Sequence, residues 1–275
     1  MRISHLGPTG TYTEAAARRF SADADLLPVA TVSAAIQAVR DNEADAAVCA
    51  MENSIEGSVS IETMDLLIGP EFDLRVRGEV VLAIQHHLVG APGINAMQAT
   101  KVYSHPQALA QCRQRLLELA PHAKPVAALS TAGAVEASIH EPGALAVGSE
   151  YAAELYGAAI YARDIGDEGG NETRFVVLSR EDAAPTGDDK TSLAFTVAHD
   201  RPGSLAEVLQ MFASHGLNLT RIESRPTRRQ LGTYVFFCDV QGHRNDPVVA
   251  GVLDEATKIT QWLRVLGSYP RWKRA

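Results

Sequence analysis

The chain has 275 residues, 46% hydrophobic and 21% charged, which is enough for two domains with a sizeable core. Its net charge of −8 excludes a nucleic-acid binder that relies on bulk charge, while leaving room for a local basic pocket. Three cysteines (Cys49, Cys112, Cys238), odd in number and far apart, exclude a disulfide framework and fit a reducing compartment.

Arg2 to Leu6 reads as a strand, followed by GPTGTYTEAAARRF, a glycine loop that turns into a helix. Thr31 to Asp41 reads as a helix with Ser33 placed to cap it. Ala46 to Met51 is a buried strand, and ENSIEGSVSIETMDLLIG is a loop feeding a helix. Glu79 to Val89 is one long β-type run. Lys101 to Tyr103 precedes SHPQALAQCRQRLLELA, where Ser104 to Gln107 matches a capping box. Val126 to Leu129 precedes STAGAVEASIH, and Ala144 to Val147 precedes GSEYAAELYG, with Thr131 and Ser149 as candidate caps. In NETRFVVLSR, Phe175 to Leu178 is a further buried strand, with Thr173 and Arg174 at its entrance. Alternating strands and helices predict a mostly parallel sheet, and two such units predict two α/β lobes with a cleft between them.

Residues 181 to 191 are charged, contain Pro and Gly, and read as a linker. The pattern then changes to strand, helix, two hairpin strands, helix and strand within residues 192 to 275, a ferredoxin-like βαββαβ order. No apolar stretch reaches signal-peptide or membrane-span length, so a cytoplasmic protein with no membrane partner is expected. No C-x-x-C exists, and the adjacent His86 and His87 point to opposite faces of a strand, so no metal site is expected. Cys49 and Cys238 lie in apolar runs and read as inert packing.

The chemistry gathers in the loops GPTGT, ENSIEGS, SHPQ, STAG and GSE. Such loops lie at the carboxyl ends of parallel strands, where ligands bind, and each following helix offers unpaired N–H groups and a partial positive charge. Together with Arg174 they describe a cleft for a small polyanion held by amide hydrogens, hydroxyls and one guanidinium. Thr11 and Ser149 stand in the first and last of these loops as candidate substrate contacts. No nucleophile–base pair, G-x-S-x-G elbow or phosphate-binding loop with its lysine is present.

The set GPTGTYTEAA, MENSIEGS, VYSHPQALAQC and NETRFVVL closely resembles prephenate dehydratase, and PGSLAEVLQMF with RIESRP resembles the ACT regulatory domain usually attached to it. The match covers nearly the whole chain in family order. Departures are Ser204 and Ala206 in GSLA, where relatives often read GALV, and Ala158 and Tyr161 ahead of the Thr-Arg-Phe motif, where aliphatic residues are common.

The resemblance implies a two-lobed, type 2 periplasmic-binding-protein-like catalytic domain over residues 1–180. Lobe one would be about 1–76 and 166–180, lobe two about 77–165, with an ACT domain at 192–275. It implies decarboxylating dehydration of prephenate to phenylpyruvate, in phenylalanine biosynthesis, without metal or organic cofactor. It implies catalytic roles for Thr173, Asn53, Ser104 and Gln111, a site-shaping role for Glu52, and substrate contacts from Arg174 and Phe175. In the ACT domain it implies L-phenylalanine as effector, at Gly203, Ser204 and Leu205, which follow Asp200 to Pro202, and at Glu223, Ser224, Arg225 and Pro226. A homodimer or homotetramer paired through these domains is expected. The rivals are arogenate dehydratase on the same scaffold and a two-lobed small-anion binding protein.

Overall fold

The computed structural model describes residues 1–58, 61–197, 202–227 and 232–273. Strands and helices alternate through the first half because apolar runs of strand length end in loops whose hydroxyls cap the next helix. β1 (Arg2–Leu6) leads to α1 (Tyr12–Phe20), where Thr11 Oγ1 accepts the Glu14 N–H. β2 (Asp25–Val29) and α2 (Val32–Arg40) follow. Thr31, not the expected Ser33, caps α2: its Oγ1 accepts the Ala34 N–H at 3.0 Å, and Ser33 already lies inside the helix.

Next come β3 (Ala46–Asn53), β4 (Gly57–Ser58), α3 (Ile61–Leu67), β5 (Arg75–Ala83) and β6 (His87–Gly90). They are followed by β7 (Lys101–Ser104), α4 (Pro106–Gln111), α5 (Arg113–Leu119), β8 (Lys124–Ala127), α6 (Thr131–His140), β9 (Ala144–Gly148), α7 (Glu150–Tyr156), β10 (Ala159–Ala162) and β11 (Glu172–Ser179).

These strands form two sheets, in the orders β2-β1-β3-β11-β5 (with β4 on β3) and β10-β6-β9-β7-β8. β1 runs parallel to β2 and β3, and β7 runs parallel to β8 and β9. The chain therefore leaves the first sheet after β5 and returns to it with β11, the two-lobed α/β arrangement. The two crossing segments are tied to each other: the Ile84 N–H donates to the Asn171 carbonyl at 2.8 Å, and the Ile165 N–H donates to the His86 carbonyl at 2.7 Å. The expected single run from Glu79 to Val89 is thus two strands. β5 stays in the first sheet to Ala83, well beyond residue 76, because the break falls where the backbone pairs with the returning segment.

Residues 1–61 with 81–175 form one compact unit, and residues 62–80 with 176–275 form the other. The second contains β12 (Asp189–Val197), α8 (Ser204–Ser214), β13 (Leu219–Pro226), β14 (Tyr234–Gln241), α9 (Pro247–Ile259) and β15 (Thr260–Pro270). Its antiparallel sheet runs β13-β14-β12-β15, the expected βαββαβ fold, and Leu193, Phe195, Phe212 and Val240 lie in its core. The linker ends earlier than expected. The Asp189 carboxylate accepts the Thr186 and Gly187 N–H groups at 2.8 and 3.0 Å, which folds the last residues into a turn and starts β12.

The segment 62–80 is built into this unit by close contacts. The Lys190 ammonium donates to both Glu79 carboxylate oxygens at 2.9 Å, with Glu79 buried. Arg264 donates to the Gly69 carbonyl at 2.7 Å. A Cβ at Gly267 would stand 2.1 Å from the Val76 carbonyl oxygen, so only glycine fits. Gly267→Ala is expected to cost more than ~1 kcal/mol of stability, the order of an overpacking substitution. An unchanged melting temperature in that variant would show that the backbone approach is not tight.

Candidate active site

β3 and β11 are neighbours in the first sheet, and they carry Asn53 and Thr173. Asn53 is buried, and its side chain works in both directions. Nδ2 donates to Asn171 Oδ1 (2.6 Å), Thr173 Oγ1 (3.0 Å) and the Glu172 carbonyl (3.1 Å). Oδ1 accepts the Ile55 and Glu56 N–H groups, each at 3.0 Å, which closes the turn after β3. Ser54 reinforces the tie, donating to the Gly170 carbonyl and accepting the Glu172 N–H, both at 2.9 Å.

The network continues into the other lobe. Asn171 Nδ2 donates to Gln111 Oε1 at 3.0 Å, His86 Nε2 lies 3.0 Å from the same oxygen, and Gln111 Nε2 donates to Glu56 Oε1 at 3.1 Å. Only this orientation of the Gln111 amide suits Asn171 and Glu56 together, so His86 must carry its proton on Nε2. Burial lowers the His86 pKa, and its Nδ1 is enclosed with no partner among the described residues, so the ring is neutral.

Asn53, Thr173, Gln111 and His86 line a cavity of about 270 Å³, near the lower end of small-molecule pockets. The starts of three helices reach its wall: Thr11 to Thr13 of α1, Ser130 and Thr131 of α6, and His105 with Gln107 of α4. The first-turn N–H groups of a helix have no partner within it, so this wall is electropositive without a formal charge. Phe175, Leu6, Val32 and Leu129 supply apolar wall. No lysine or arginine is among the described residues that line the cavity.

The lobes also meet at α1. Glu14 is buried and accepts the Gly10 N–H (2.7 Å), Arg18 Nη2 (2.8 Å) and the Tyr151 hydroxyl of α7 (3.0 Å). Burial alone would push this carboxyl up, but the hydrogen bonds from Gly10, Arg18 and Tyr151 outweigh it and hold the pKa below the ordinary value.

Of the expected site residues, Asn53, Gln111, Thr173, Phe175 and Thr11 line the cavity. The Thr11 hydroxyl is spent, donating to the Leu6 carbonyl at 3.2 Å and accepting the Glu14 N–H, so its loop offers backbone rather than side chain. Four others do not line it. Ser104 is fully buried and donates to the Val147 carbonyl at 2.7 Å, which ties β7 to β9; the cap of α4 is His105. Ser149 caps α7, accepting the Ala152 N–H at 3.0 Å, and for α6 the cap is Ser130 rather than Thr131. Arg174 and Glu52 pair with each other at 3.5 Å, one position along their strands from Thr173 and Asn53. Strand side chains alternate, so this pair takes the other face of the sheet, and the guanidinium is absent from the cavity wall.

Asn171, His86, Glu56 and His105 were missed. Asn171 heads the same NETR stretch as Thr173, which was a usable signal. Cys49 and Cys238 are buried as expected, and Cys112 is buried too; burial pushes the Cys112 and Cys238 thiols up to about 12.

The effector residues lie in the second unit. Gly203, with φ 93°, starts α8, and the Ser204 hydroxyl is enclosed with no partner among the described residues. Leu205 packs against the core of the sheet. Glu223, Ser224, Arg225 and Pro226 lie on β13, where Glu223 pairs with Arg221 and Arg225 lies 3.3 Å from Asp65. Asp200 and Arg201 lie outside the described residues.

A family model for prephenate dehydratase matches residues 3–183. The chain belongs to the prephenate dehydratase family. It is a dehydratase enzyme by that membership, and an ACT-domain model matches residues 191–256. A bifunctional chorismate mutase/prephenate dehydratase of Aquifex aeolicus is 42% identical over 272 residues, 98% of this chain and 74% of that protein. Arogenate dehydratase 1 of Petunia hybrida is 39% identical, over 98% of this chain and 67% of that one. The crystal structure of prephenate dehydratase from Arthrobacter aurescens in complex with L-Phe superposes with a TM-score of 0.88 at 39% identity, covering 98% of this chain and 90% of the other. Among the described residues no helix is long and apolar enough to cross a membrane.

Removing the Asn53 amide leaves two turn N–H groups and the Asn171 and Thr173 oxygens without their partner. Asn53→Ala is therefore expected to cost at least ~2 kcal/mol. Asn53→Asp keeps the acceptor half and should recover part of that in urea denaturation. Equal midpoints for all three proteins would contradict the assigned network.

Proposed function

We propose that the cavity binds prephenate and converts it to phenylpyruvate. The observation that carries this reading is the donation from Asn53 Nδ2 to Thr173 Oγ1 at 3.0 Å. A hydroxyl that accepts from a fixed amide is left with its own O–H to give, so Thr173 presents a donor to the cavity it lines. Prephenate carries two carboxylates and a ring hydroxyl. The ring C–O bond breaks as the C–C bond to the ring carboxylate breaks. The electron pair from that bond enters the ring, carbon dioxide leaves, and hydroxide takes up one proton to leave as water. Aromatisation drives the step, so the protein has to hold the substrate in reactive geometry and assist the departing oxygen.

Thr173 donates to that oxygen. The N-terminal turns of α1 and α6 hold the carboxylates through backbone N–H groups, Gln111 adds its second amide hydrogen, and Phe175 walls the ring. Arg174 and Glu52 support the sheet beneath the site rather than touch substrate, and Ser104 and Ser149 position their strands and helices. Glu56 puts a carboxylate on the wall, the group that would pair with an ammonium, so arogenate is the second substrate to test.

L-phenylalanine as effector is part of the same reading. It is supported by the L-Phe complex of the Arthrobacter relative and by the enclosed, unpartnered Ser204 hydroxyl at the start of α8. Residues 62–80 are folded into the unit that holds α8, and they run on directly to the crossing at Ile84. A ligand that favours one arrangement of this unit would bias that segment. Pairing of the ACT domains into a dimer or tetramer belongs to this reading, as does work in the cytoplasm.

Phenylpyruvate formation from prephenate, followed by ultraviolet absorbance in alkali, is the direct test. Thr173→Ala is expected to lower kcat by about 10²-fold or more, the scale of one lost transition-state donor, with Thr173→Ser retaining much of it. Unaltered turnover in the alanine variant removes Thr173 from the step. Added L-phenylalanine is expected to change the rate, and a response lost in Ser204→Val would place the effector there.

A further inference from the structure

The cavity read here as a dicarboxylate site has no lysine or arginine on its described wall, so its remaining donors decide how a carboxylate is held. Tyr12 is spent, its hydroxyl donating to the Gln85 carbonyl and accepting the Gln85 N–H. His86 has given Nε2 to Gln111, and its Nδ1 is sealed in protein. Glu56 is an acceptor. His105 is different. Its Nδ1 accepts the Gln107 N–H, at a long 3.4 Å, as the cap of α4. An Nδ1 that accepts leaves the proton on Nε2. Nε2 has no protein partner among the described residues, and the half-buried ring lines the cavity wall.

We propose that His105 is a substrate-contacting residue: as a neutral imidazole, it donates Nε2–H to a carboxylate oxygen of the bound substrate. This takes over the role that the sequence suggested for Arg174, and it rests on the reading of the cavity as the prephenate site. Two features keep the ring neutral. Burial lowers its pKa, and a protonated Nδ1 would meet the Gln107 N–H donor to donor. The charged and titratable side chains that share the wall are His86, itself neutral, Glu56, the buried Cys49 thiol and the hydrogen-bonded Tyr12. The carboxylate that His105 meets is that of the pyruvyl side chain, which phenylpyruvate retains after the ring carboxylate has left, and a neutral N–H orients it without burying a full charge.

The bland alternative is that His105 only caps α4, and two substitutions separate the roles. Asparagine keeps an acceptor for the Gln107 N–H but is too short to reach the Nε2 position. Glutamine reaches that position with an amide N–H but caps poorly. H105N is expected to melt with the wild type while kcat/KM on prephenate falls about tenfold or more, mainly through KM, the loss of one hydrogen bond to a charged group. H105Q should recover part of the loss. H105N with wild-type KM and kcat overturns the inference.

Nitrogen NMR of histidine-labelled wild-type enzyme gives a second readout that needs no variant to fold. Phenylpyruvate, at a concentration that inhibits turnover, is expected to shift the His105 Nε2–H signal while Nδ1 keeps the signature of a bare nitrogen. An unmoved signal overturns the inference. Wild-type enzyme that forms no phenylpyruvate from prephenate overturns the functional reading itself, whereas normal turnover in H105N overturns only the role of His105.

Discussion

One side-chain amide organises this site. Asn53 holds the end of β3, the turn after it, and the start of β11 through five hydrogen bonds, and it orients the Thr173 hydroxyl in doing so. Its neighbour Asn171 passes the constraint to Gln111, and Gln111 passes it to His86 and Glu56. Four chain segments from both lobes are thereby set by one chain of amides. Such a network is stiff because each buried member has its geometry fixed by two others, and an unmet amide in that setting is costly.

The same economy explains how an acidic protein can hold a dianion. A guanidinium in the cavity would bring a permanent charge, and desolvating it would have to be offset by a partner. Helix starts bring partial charges already fixed by the backbone, and their orientation is set by caps that lie outside the cavity chemistry. Thr11 and Ser130 therefore matter for where they put the first turns of α1 and α6, not for what their hydroxyls touch. Arg174 illustrates the converse. It stands beside Thr173 in sequence, yet one step along a strand sends it to the far face, where it meets Glu52.

That one-residue step marks how much could be read in advance. The alternation of strands and capped helices was legible because hydrophobic period and cap residues are local properties. The βαββαβ unit was legible for the same reason. The break at Ile84 was not, because Glu79 to Val89 is uniformly β-forming and the crossing is fixed by a partner, Asn171, far away in sequence. The caps were misplaced by one or two residues at Ser33, Ser104 and Thr131, where adjacent hydroxyl or polar residues compete and only backbone dihedrals decide. In the candidate site, Asn53, Gln111 and Thr173 came from motif resemblance. His86 and Glu56 were beyond reach because their part in the site exists only once two lobes are folded against each other.

Why the motif positions divide between wall and scaffold then follows from the strand period. Of the motif positions on β3 and β11, Asn53, Thr173 and Phe175 line the cavity, beside Cys49 and Ala50 from the middle of β3, and the opposite face takes Glu52 and Arg174. A stretch such as Thr173-Arg174-Phe175 is therefore two structures interleaved. Its odd positions line the cavity, and its even position pins the strand that carries them. A sequence motif therefore cannot by itself distinguish a residue that faces the cavity from one that holds its neighbour in place. On a helix-capping loop the division is different, because backbone and side chain of one residue can serve both ends. His105 is such a residue: its Nδ1 caps the helix, and its ring lines the cavity.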